Sequence, residues 1–259
     1  GGLSPANADF VETPWQGVCT WRYKKSRRRR PNLILRIKTM KVLGVSGSPV
    51  FNSNTDRALK VALEATGLET EFVKLVDYKI NPCRACIGCV DTNRCVNRDD
   101  DGILLAEKAK EADALIIACY TPYSTIDSLT KAFIERLYPL RHQRGFMAGK
   151  PGGAIVTCAV PAANKALPPA GDMGVNAIMF YMMEEGMNFV GSVKILGNVP
   201  CIKCGYGNEC KTSGIKMIFG NDATVQSVGV NKFEEQLDAF NAAHELGKRI
   251  AASLKSNCG

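Results

Sequence analysis

Four cysteines stand within thirteen residues in the segment INPCRACIGCVDTNRCVNRDD, at Cys83, Cys86, Cys89 and Cys95. Two-residue gaps let a tightly curled loop direct successive thiolates at neighbouring corners of one cubane cluster, and the longer gap lets the fourth approach from outside. Structural zinc more often uses two C-x2-C pairs separated by a longer spacer. The spacing of this cysteine loop (residues 83–95) therefore favours a [4Fe-4S] cluster over zinc, with free or redox-switching thiols as the other alternative.

A second cysteine group, in CIKCGYGNEC, consists of Cys201, Cys204 and Cys210. It lies in residues 199–224, which resemble an insertion before the last helix. Three thiolates do not complete a tetrahedral metal site, so a fourth ligand would come from Cys258, a partner subunit or a residue other than cysteine. A second cluster, a zinc ion and thiols that only decorate a loop are the three alternatives.

The composition is that of a globular protein with one domain and appendages: 259 residues, of which 46% are hydrophobic and 22% charged. Positive charge is concentrated in residues 1–40, which contain nine Lys or Arg against two acids, whereas the rest has 24 against 23. Residues 1–39 are expected to form a disordered basic extension, and Met40 directly precedes the first strand-like segment. A misassigned start, a nucleic-acid-binding arm and a targeting segment are the alternatives for this extension.

The eleven cysteines do not indicate a secreted disulfide scaffold, because the chain is long and shows no export signal. We therefore expect a cytoplasmic protein without a membrane span. Cys119 and Cys158 lie in apolar strand-like runs and are expected to be small buried side chains. The chain has only His142 and His244 and lacks a G-x-S-x-G sequence, so hydrolytic triads have no support; His142 is expected at the surface.

Apolar runs alternate with amphipathic stretches from Met40 onward. This alternation predicts five parallel strands covered by helices on both faces, with ligands beyond the carboxyl ends of the strands. The predicted strands are 41–47, 70–78, 114–120, 152–160 and 188–196. The predicted helices are 54–66, 101–112, 127–140, about 174–186 and 231–254.

Two hydroxyl-rich loops follow strands of this predicted sheet. In the first loop (residues 46–56, SGSPVFNSNTD), Ser48, Ser53, Asn54 and Thr55 could surround a phosphate at a helix N-terminus, although an ordinary capped turn is the alternative. The first loop is neither G-x-G-x-x-G nor a P-loop. The second loop (residues 121–124, TPYS) offers an aromatic ring and hydroxyls at the same edge, so the pair suits a mononucleotide.

These segments, GVSGSP…SNTD, the cysteine loop and YTPYSTIDSLTKAFIERL, resemble in the same order the flavodoxin-like NADPH-dependent FMN reductases, and among them the iron-sulfur flavoproteins. The resemblance covers residues 40–255 and implies an α/β three-layer sandwich with a five-stranded parallel sheet in the order 2-1-3-4-5. Where the family commonly has Arg after GSP, this chain has Val50, which removes a charge from the phosphate site. By resemblance the FMN phosphate would be held by Ser46, Ser48, Ser53, Asn54 and Thr55, and the isoalloxazine bordered by Thr121, Pro122, Tyr123 and Ser124.

The resemblance also implies a function. We expect an oxidoreductase that relays electrons from a donor such as ferredoxin, or from NAD(P)H, through a [4Fe-4S] cluster and FMN to a small acceptor, as a homodimer or homotetramer. A cluster-free NAD(P)H-dependent FMN or quinone reductase is one alternative. The other is a zinc-stabilised binding module whose basic tail binds nucleic acid.

Overall fold

The computed structural model describes residues 8–11, 18–23 and 37–256, with side chains from Thr39 onward. Three short strands, β1 (Ala8–Val11), β2 (Val18–Tyr23) and β3 (Ile37–Thr39), pair antiparallel in the order β1-β2-β3. These strands lie within residues 1–39, for which we predicted a disordered extension. The other residues of that range lie outside the described residues. Cys258 lies outside them as well.

The main sheet has five parallel strands in the order β5-β4-β6-β7-β8, which is the 2-1-3-4-5 order, so the predicted fold is confirmed. The inner strands β4, β6 and β7 are mostly apolar runs because helices cover both faces of the sheet. Every residue of β7 is buried, as are six of the seven in the central strand β6. The strands are β4 (Lys41–Ser46), β5 (Glu69–Lys74), β6 (Ala114–Tyr120), β7 (Pro151–Cys158) and β8 (Asn188–Leu196).

The helices form the two outer layers, and each face of the sheet has its own hydrophobic core. The helices are α1 (Asn54–Ala65), α2 (Gly102–Glu111), α3 (Ser128–Arg136), α4 (Ala170–Glu184), α5 (Cys201–Cys204), α6 (Gly214–Phe219), α7 (Val225–Val228) and α8 (Leu237–Ser256). One core is packed by α2, α3 and α4, and the other by α1 and α8. Across the described ranges, no helix is long and apolar enough to cross a membrane.

The helix predicted over 127–140 ends at Arg136 and continues only as a 3-10 turn, Tyr138–Leu140. Pro139 explains the break, because proline has no N–H to donate and its ring clashes with the preceding helical turn. The chain changes direction at this turn, and His142, which follows it, comes to lie against the cysteine loop.

The packing of α1 against α8 depends on a glycine. A Cβ at Gly247 would clash with the carbonyl oxygen of Ala62 and lie 2.8 Å from the Cβ of Ala65. Backbone atoms cannot move aside as a flexible side chain can, so this close approach requires Gly at position 247.

We predict that Gly247→Ala lowers the free energy of unfolding by about 1–3 kcal/mol through overpacking. Helix propensity alone predicts the opposite sign, a gain of up to about 1 kcal/mol. Urea unfolding measures the difference, and Asn241→Ala on the exposed side of α8 serves as the control, expected within about 0.5 kcal/mol of the parent. A stabilised Gly247→Ala protein would contradict the close approach of the two helices.

Candidate functional site

Asp56 organises the first loop. The hydroxyl of Ser46, at the end of β4, donates to Asp56 Oδ1 over 2.6 Å, and the backbone N–H of Ser53 donates to Asp56 Oδ2 over 3.0 Å. Ser53 Oγ in turn accepts the N–H of Asp56, which completes a capping box at the start of α1. The loop is therefore fixed by its own hydrogen bonds. The Ser46 hydroxyl already donates to Asp56 within the protein.

Lys74, at the end of β5, brings a positive charge under the first loop. Its Nζ lies 2.6 Å from Asp56 Oδ2 and donates to the carbonyl oxygen of Val50 over 2.9 Å. The Lys74 side chain is 12% exposed. Lys74 thus places a cation at this loop from a neighbouring strand, although Asp56 neutralises it.

The other polar side chains of the first loop differ in how far they are engaged. Thr55 Oγ1 donates to Thr157 Oγ1 over 2.8 Å, and the Asn54 amide donates to the carbonyl oxygen of Asn231 over 2.9 Å. Ser48 is buried and its hydroxyl accepts the N–H of Val50 over 3.4 Å. An anion at the N-terminus of α1 would thus be held mainly by backbone N–H groups and the helix dipole, with Ser48 and Ser53 as hydroxyl ligands.

The second loop lies beside the first at the carboxyl edge of the sheet. Thr121 donates its backbone N–H to the carbonyl oxygen of Thr157, the same residue whose hydroxyl meets Thr55. Tyr123 and Ser124 adopt left-handed backbone angles, with φ of 53° and 63°, and the Tyr123 side chain is fully exposed. Such a conformation in a non-glycine residue costs free energy and occurs often at ligand sites, so Tyr123 is available to cover a flat ring.

Asp127 joins the two loops to α3. Its carboxylate caps α3 by accepting from the backbone N–H of Thr130 over 2.9 Å, and it also accepts from the Thr130 hydroxyl over 2.7 Å. Burial raises the pKa of Asp127, and these hydrogen bonds oppose the shift. Gly47 packs directly on this cap, because a Cβ there would lie 2.6 Å from Asp127 Oδ2. Glycine at position 47 is what lets the first loop approach α3.

The four thiols of the cysteine loop line one cavity of about 470 Å³. Cys89 is buried, Cys86 is exposed, and Cys83 and Cys95 are half-buried. Within the described part of the chain, no three His, Cys, Asp or Glu side chains converge closely enough to chelate a single metal ion. Four thiols around one cavity are donors of the kind that ligate an iron–sulfur cluster.

Arg136, at the C-terminal end of α3, lines this cavity. Its guanidinium forms a buried ion pair with Asp100 and donates to the carbonyl oxygen of Asn81 over 3.1 Å. One of its nitrogens lies 3.5 Å from Cys95 Sγ, while its Nε is buried without a partner. Gly102 makes room for this arrangement, because a Cβ there would lie 2.8 Å from Arg136 Nε. Positive charge beside the sulfurs fits a group that carries negative charge.

His142 is a second polar contact to a thiol. Its Nε2 lies 3.2 Å from Cys89 Sγ, and Asn93 Nδ2 donates to the carbonyl oxygens of Pro139 and His142. The prediction that His142 lies at the surface was wrong: the ring is half-buried against the cysteine loop and packs edge-on against Tyr138. The turn at Pro139 places it there.

A second cavity, of about 630 Å³, borders both the cysteine loop and the strand-end segment that follows the second loop. Cys83 and Ile87 form part of its wall, as do Thr125 and Ile126. On the opposite wall, α4 contributes the Tyr181 hydroxyl, which is buried without a hydrogen-bond partner, and Glu185 follows directly after α4. The cysteine loop and the region of the second loop therefore adjoin.

Glu185 has an unusual protonation state for a carboxyl group. Burial raises its pKa to about 7, and the negative charge of Glu184 adds to that shift while Arg141 opposes it. Arg141 lies 3.7 Å from Glu185 Oε1 and 3.3 Å from Glu184 Oε2. Glu185 is thus a proton-exchanging group near neutral pH on the wall of this cavity.

Several residues of the site carry no signal in the sequence alone. Thr157, Lys74 and Arg136 reach it from elements that are distant in the chain, so only the fold brings them in. Asp127 did have a signal, because an Asp directly before a helix is a typical N-cap. Cys119 and Cys158 are buried as predicted, and Cys158 lines a cavity of about 910 Å³ at the ends of β7 and β8.

Residues 40–167 match the family model of NADPH-dependent FMN reductase. An iron-sulfur flavoprotein of Methanocaldococcus jannaschii is 38% identical over 120 residues, which are 45% of this chain and 61% of that protein. An iron-sulfur flavoprotein of Archaeoglobus fulgidus is 38% identical over 123 residues, 46% of this chain and 55% of that protein. The chain thus spans less than two thirds of the length of these curated relatives.

Among solved structures, one described as flavone reductase superimposes with a TM-score of 0.51 at 16% identity, covering 84% of this chain and 64% of that one. RosB superimposes with a TM-score of 0.50 at 18% identity, covering 80% and 87%. At these identities the likeness establishes the fold alone.

We predict that Arg136→Met lowers the free energy of unfolding by about 3–5 kcal/mol, because it leaves the Asp100 carboxylate buried without its partner. Urea unfolding followed by circular dichroism measures the loss. Arg84→Met, an exposed position in the cysteine loop, is the control and should change little. Equal stability of the two variants would contradict the structural role of the ion pair.

The raised pKa of Glu185 predicts a pH-dependent stability. Its folded-state pKa, about 7, exceeds the ordinary value of 4.5, so its contribution is complete below about pH 4.5 and is lost as the pH rises through 7. The Tm of the parent should therefore fall relative to Glu185→Gln between about pH 5 and 8. Glu64→Gln, at an exposed position of α1, is the control. Parallel Tm curves for parent and Glu185→Gln would contradict the assignment.

Proposed function

We propose that this chain, whose residues 40–167 match the family model of NADPH-dependent FMN reductase, is a flavin-dependent oxidoreductase that uses FMN and an iron–sulfur cluster. In this proposal electrons pass from a donor such as ferredoxin, or from NAD(P)H, to a small acceptor. Its curated relatives are iron-sulfur flavoproteins, which supports the pairing of the two cofactors.

One observation carries the proposal: the cavity of about 630 Å³ is walled both by the cysteine loop and by residues Thr125 and Ile126 directly after the second loop. A cluster at Cys83, Cys86, Cys89 and Cys95 and a flavin beside the second loop would therefore be neighbours. When bound, FMN exchanges one or two electrons and a cubane cluster exchanges one, so the pair would connect one-electron donors with two-electron acceptors.

The residues of the chain divide the work of binding. The backbone N–H groups at the start of α1, with Ser48 and Ser53, would hold the FMN phosphate. Thr121, Pro122, Tyr123 and Ser124 would border the isoalloxazine. The Arg136 guanidinium would stabilise negative charge on Cys95, as a thiolate-ligated cluster requires. Burial raises the pKa of Cys89, so the thiolate there would need a donor, and His142 Nε2, 3.2 Å away, would be that donor when it carries the proton. Glu185 would donate or accept a proton near neutral pH on the wall of the cavity that borders both loops.

The cofactor content of the purified protein distinguishes this proposal from two alternatives, the cluster-free NAD(P)H-dependent reductase and the zinc-stabilised binding module. The reductase would contain FMN and no iron. The binding module would contain zinc and no flavin, and its affinity for nucleic acid would fall steeply with salt. A homodimer or homotetramer, which the family resemblance implies, is also part of our proposal.

The test is a strictly anaerobic purification with FMN, iron, acid-labile sulfide and zinc measured per chain. We expect about one FMN and at least about four iron and four sulfide. The variant with Ser at positions 83, 86, 89 and 95 should lose about four iron and keep FMN, and Arg84→Ser in the same loop is the control. FMN without iron in protein never exposed to oxygen would overturn the cluster and favour the hydride-using reductase.

Tyr123 gives a prediction for the flavin. Tyr123→Ala should weaken FMN binding by about 0.5–1.5 kcal/mol, roughly a two- to tenfold rise in Kd, because the exposed ring would stack on the isoalloxazine. Fluorescence titration of the apoprotein with FMN measures the change. Tyr206→Ala, an exposed tyrosine in the insertion, is the control, and equal Kd values for the two variants would contradict the role of Tyr123.

A further inference from the structure

The second cysteine group repeats part of the cysteine loop. The segments CIGCVDTNRC (86–95) and CIKCGYGNEC (201–210) have equal length, and they agree at five of ten positions. Beyond the three cysteines, the agreement includes an Ile after the first cysteine and an Asn two residues before the last. The matched pairs are Cys86 and Cys201, Ile87 and Ile202, Cys89 and Cys204, Asn93 and Asn208, and Cys95 and Cys210.

The matched asparagines do the same work in both segments. Asn93 donates its amide to the carbonyl oxygen of Pro139 over 3.0 Å and so ties the cysteine loop to the turn after α3. Asn208 accepts from the backbone N–H of Val225 over 2.7 Å and donates to Gln226 over 3.1 Å, which ties its segment to α7. In each case the amide anchors the loop to a neighbouring segment. Of the thiols in the second segment, Cys204 donates to the carbonyl oxygen of Cys201 over 3.5 Å, and Cys210 contacts the Thr212 hydroxyl over 3.6 Å.

The second segment is folded back on its first cysteine. Cys201 and Cys204 are three residues apart on the single turn of α5, so they share one face. Gly205, with φ of 83°, then reverses the chain. Gly207 passes so close that a Cβ there would lie 2.8 Å from the carbonyl oxygen of Cys201. The Ser213 hydroxyl closes the turn by donating to the carbonyl oxygen of Gly207 over 2.6 Å.

The chain passes close to the first thiol again after Cys210. The backbone N–H of Cys210 donates to the carbonyl oxygen of Tyr206, and four residues later a Cβ at Gly214 would lie 3.5 Å from Cys201 Sγ. The thiols stay accessible to a bound group, since Cys201 and Cys210 are half-buried and Cys204 is exposed. Residues 201–216 contain Lys203, Lys211 and Lys216 against the single acid Glu209, so the charge of the segment favours an anionic group.

We propose that Cys201, Cys204 and Cys210 hold a second iron–sulfur cluster, in which one iron position is not ligated by cysteine. A cluster suits the segment better than zinc, because its C-x2-C-x5-C spacing repeats that of Cys86, Cys89 and Cys95, whereas structural zinc more often uses two C-x2-C pairs. The iron position without a thiolate would be open to solvent or to a small oxygen ligand. The cluster would be a second one-electron centre on the edge of the domain.

The test compares iron and acid-labile sulfide in anaerobically reconstituted full-length proteins. The variant with Ser at positions 201, 204 and 210 should contain about three to four fewer iron and about four fewer sulfide per chain than the parent. The variant with Ser at positions 83, 86, 89 and 95 should keep that second set. Lys211→Ser, a substitution in the same segment that removes no thiol, is the control and should match the parent.

FMN content and the Tm show whether each variant is folded. Electron paramagnetic resonance of the protein with Ser at positions 83, 86, 89 and 95 supplies an independent readout, since any iron–sulfur signal there belongs to the second group. Unchanged iron in the variant with Ser at 201, 204 and 210 would overturn the proposal. Zinc without sulfide at this segment would overturn it as well.

Discussion

The buried ion pair between Arg136 and Asp100 is the interaction on which the arrangement of the site depends. Both side chains are almost fully enclosed, with 2% and 0% of their surfaces exposed. The backbone N–H of Asn81 donates to Asp100, and the carbonyl oxygen of Asn81 accepts from Arg136. Asn81 and Asp100 flank the cysteine loop, so one guanidinium clamps both ends of the loop against α3. A long loop without regular structure is thereby given a fixed base.

The same helix connects the cysteine loop to the rest of the site. α3 begins at the Asp127 cap, on which Gly47 of the first loop packs, and it ends at Arg136 beneath the thiols. The parallel sheet supplies the other constraint, because the ends of β4, β6 and β7 meet at one edge. Thr157 bonds both to Thr55 and to the backbone of Thr121. These two hydrogen bonds to Thr157 hold three segments that are distant in the sequence next to one another.

The fold was predictable because the inner strands are apolar runs that alternate with amphipathic stretches, and the strand order followed from the family resemblance. The cysteine spacing and the two hydroxyl-rich loops were equally visible as local patterns. The partners of those groups were not, because Lys74, Thr157 and Arg136 act across the sheet and no local pattern marks them. His142 was misplaced for the same reason: its contact with Cys89 depends on a turn at Pro139 that the predicted long helix concealed.

Low-temperature electron paramagnetic resonance tests most directly whether the cysteine loop holds a cluster beside a flavin. The sample is the anaerobically reduced protein that carries Ser at positions 201, 204 and 210, because it retains only the first cysteine group. We expect an iron–sulfur signal together with bound FMN. A protein that is folded and contains FMN but gives no iron–sulfur signal would contradict this expectation.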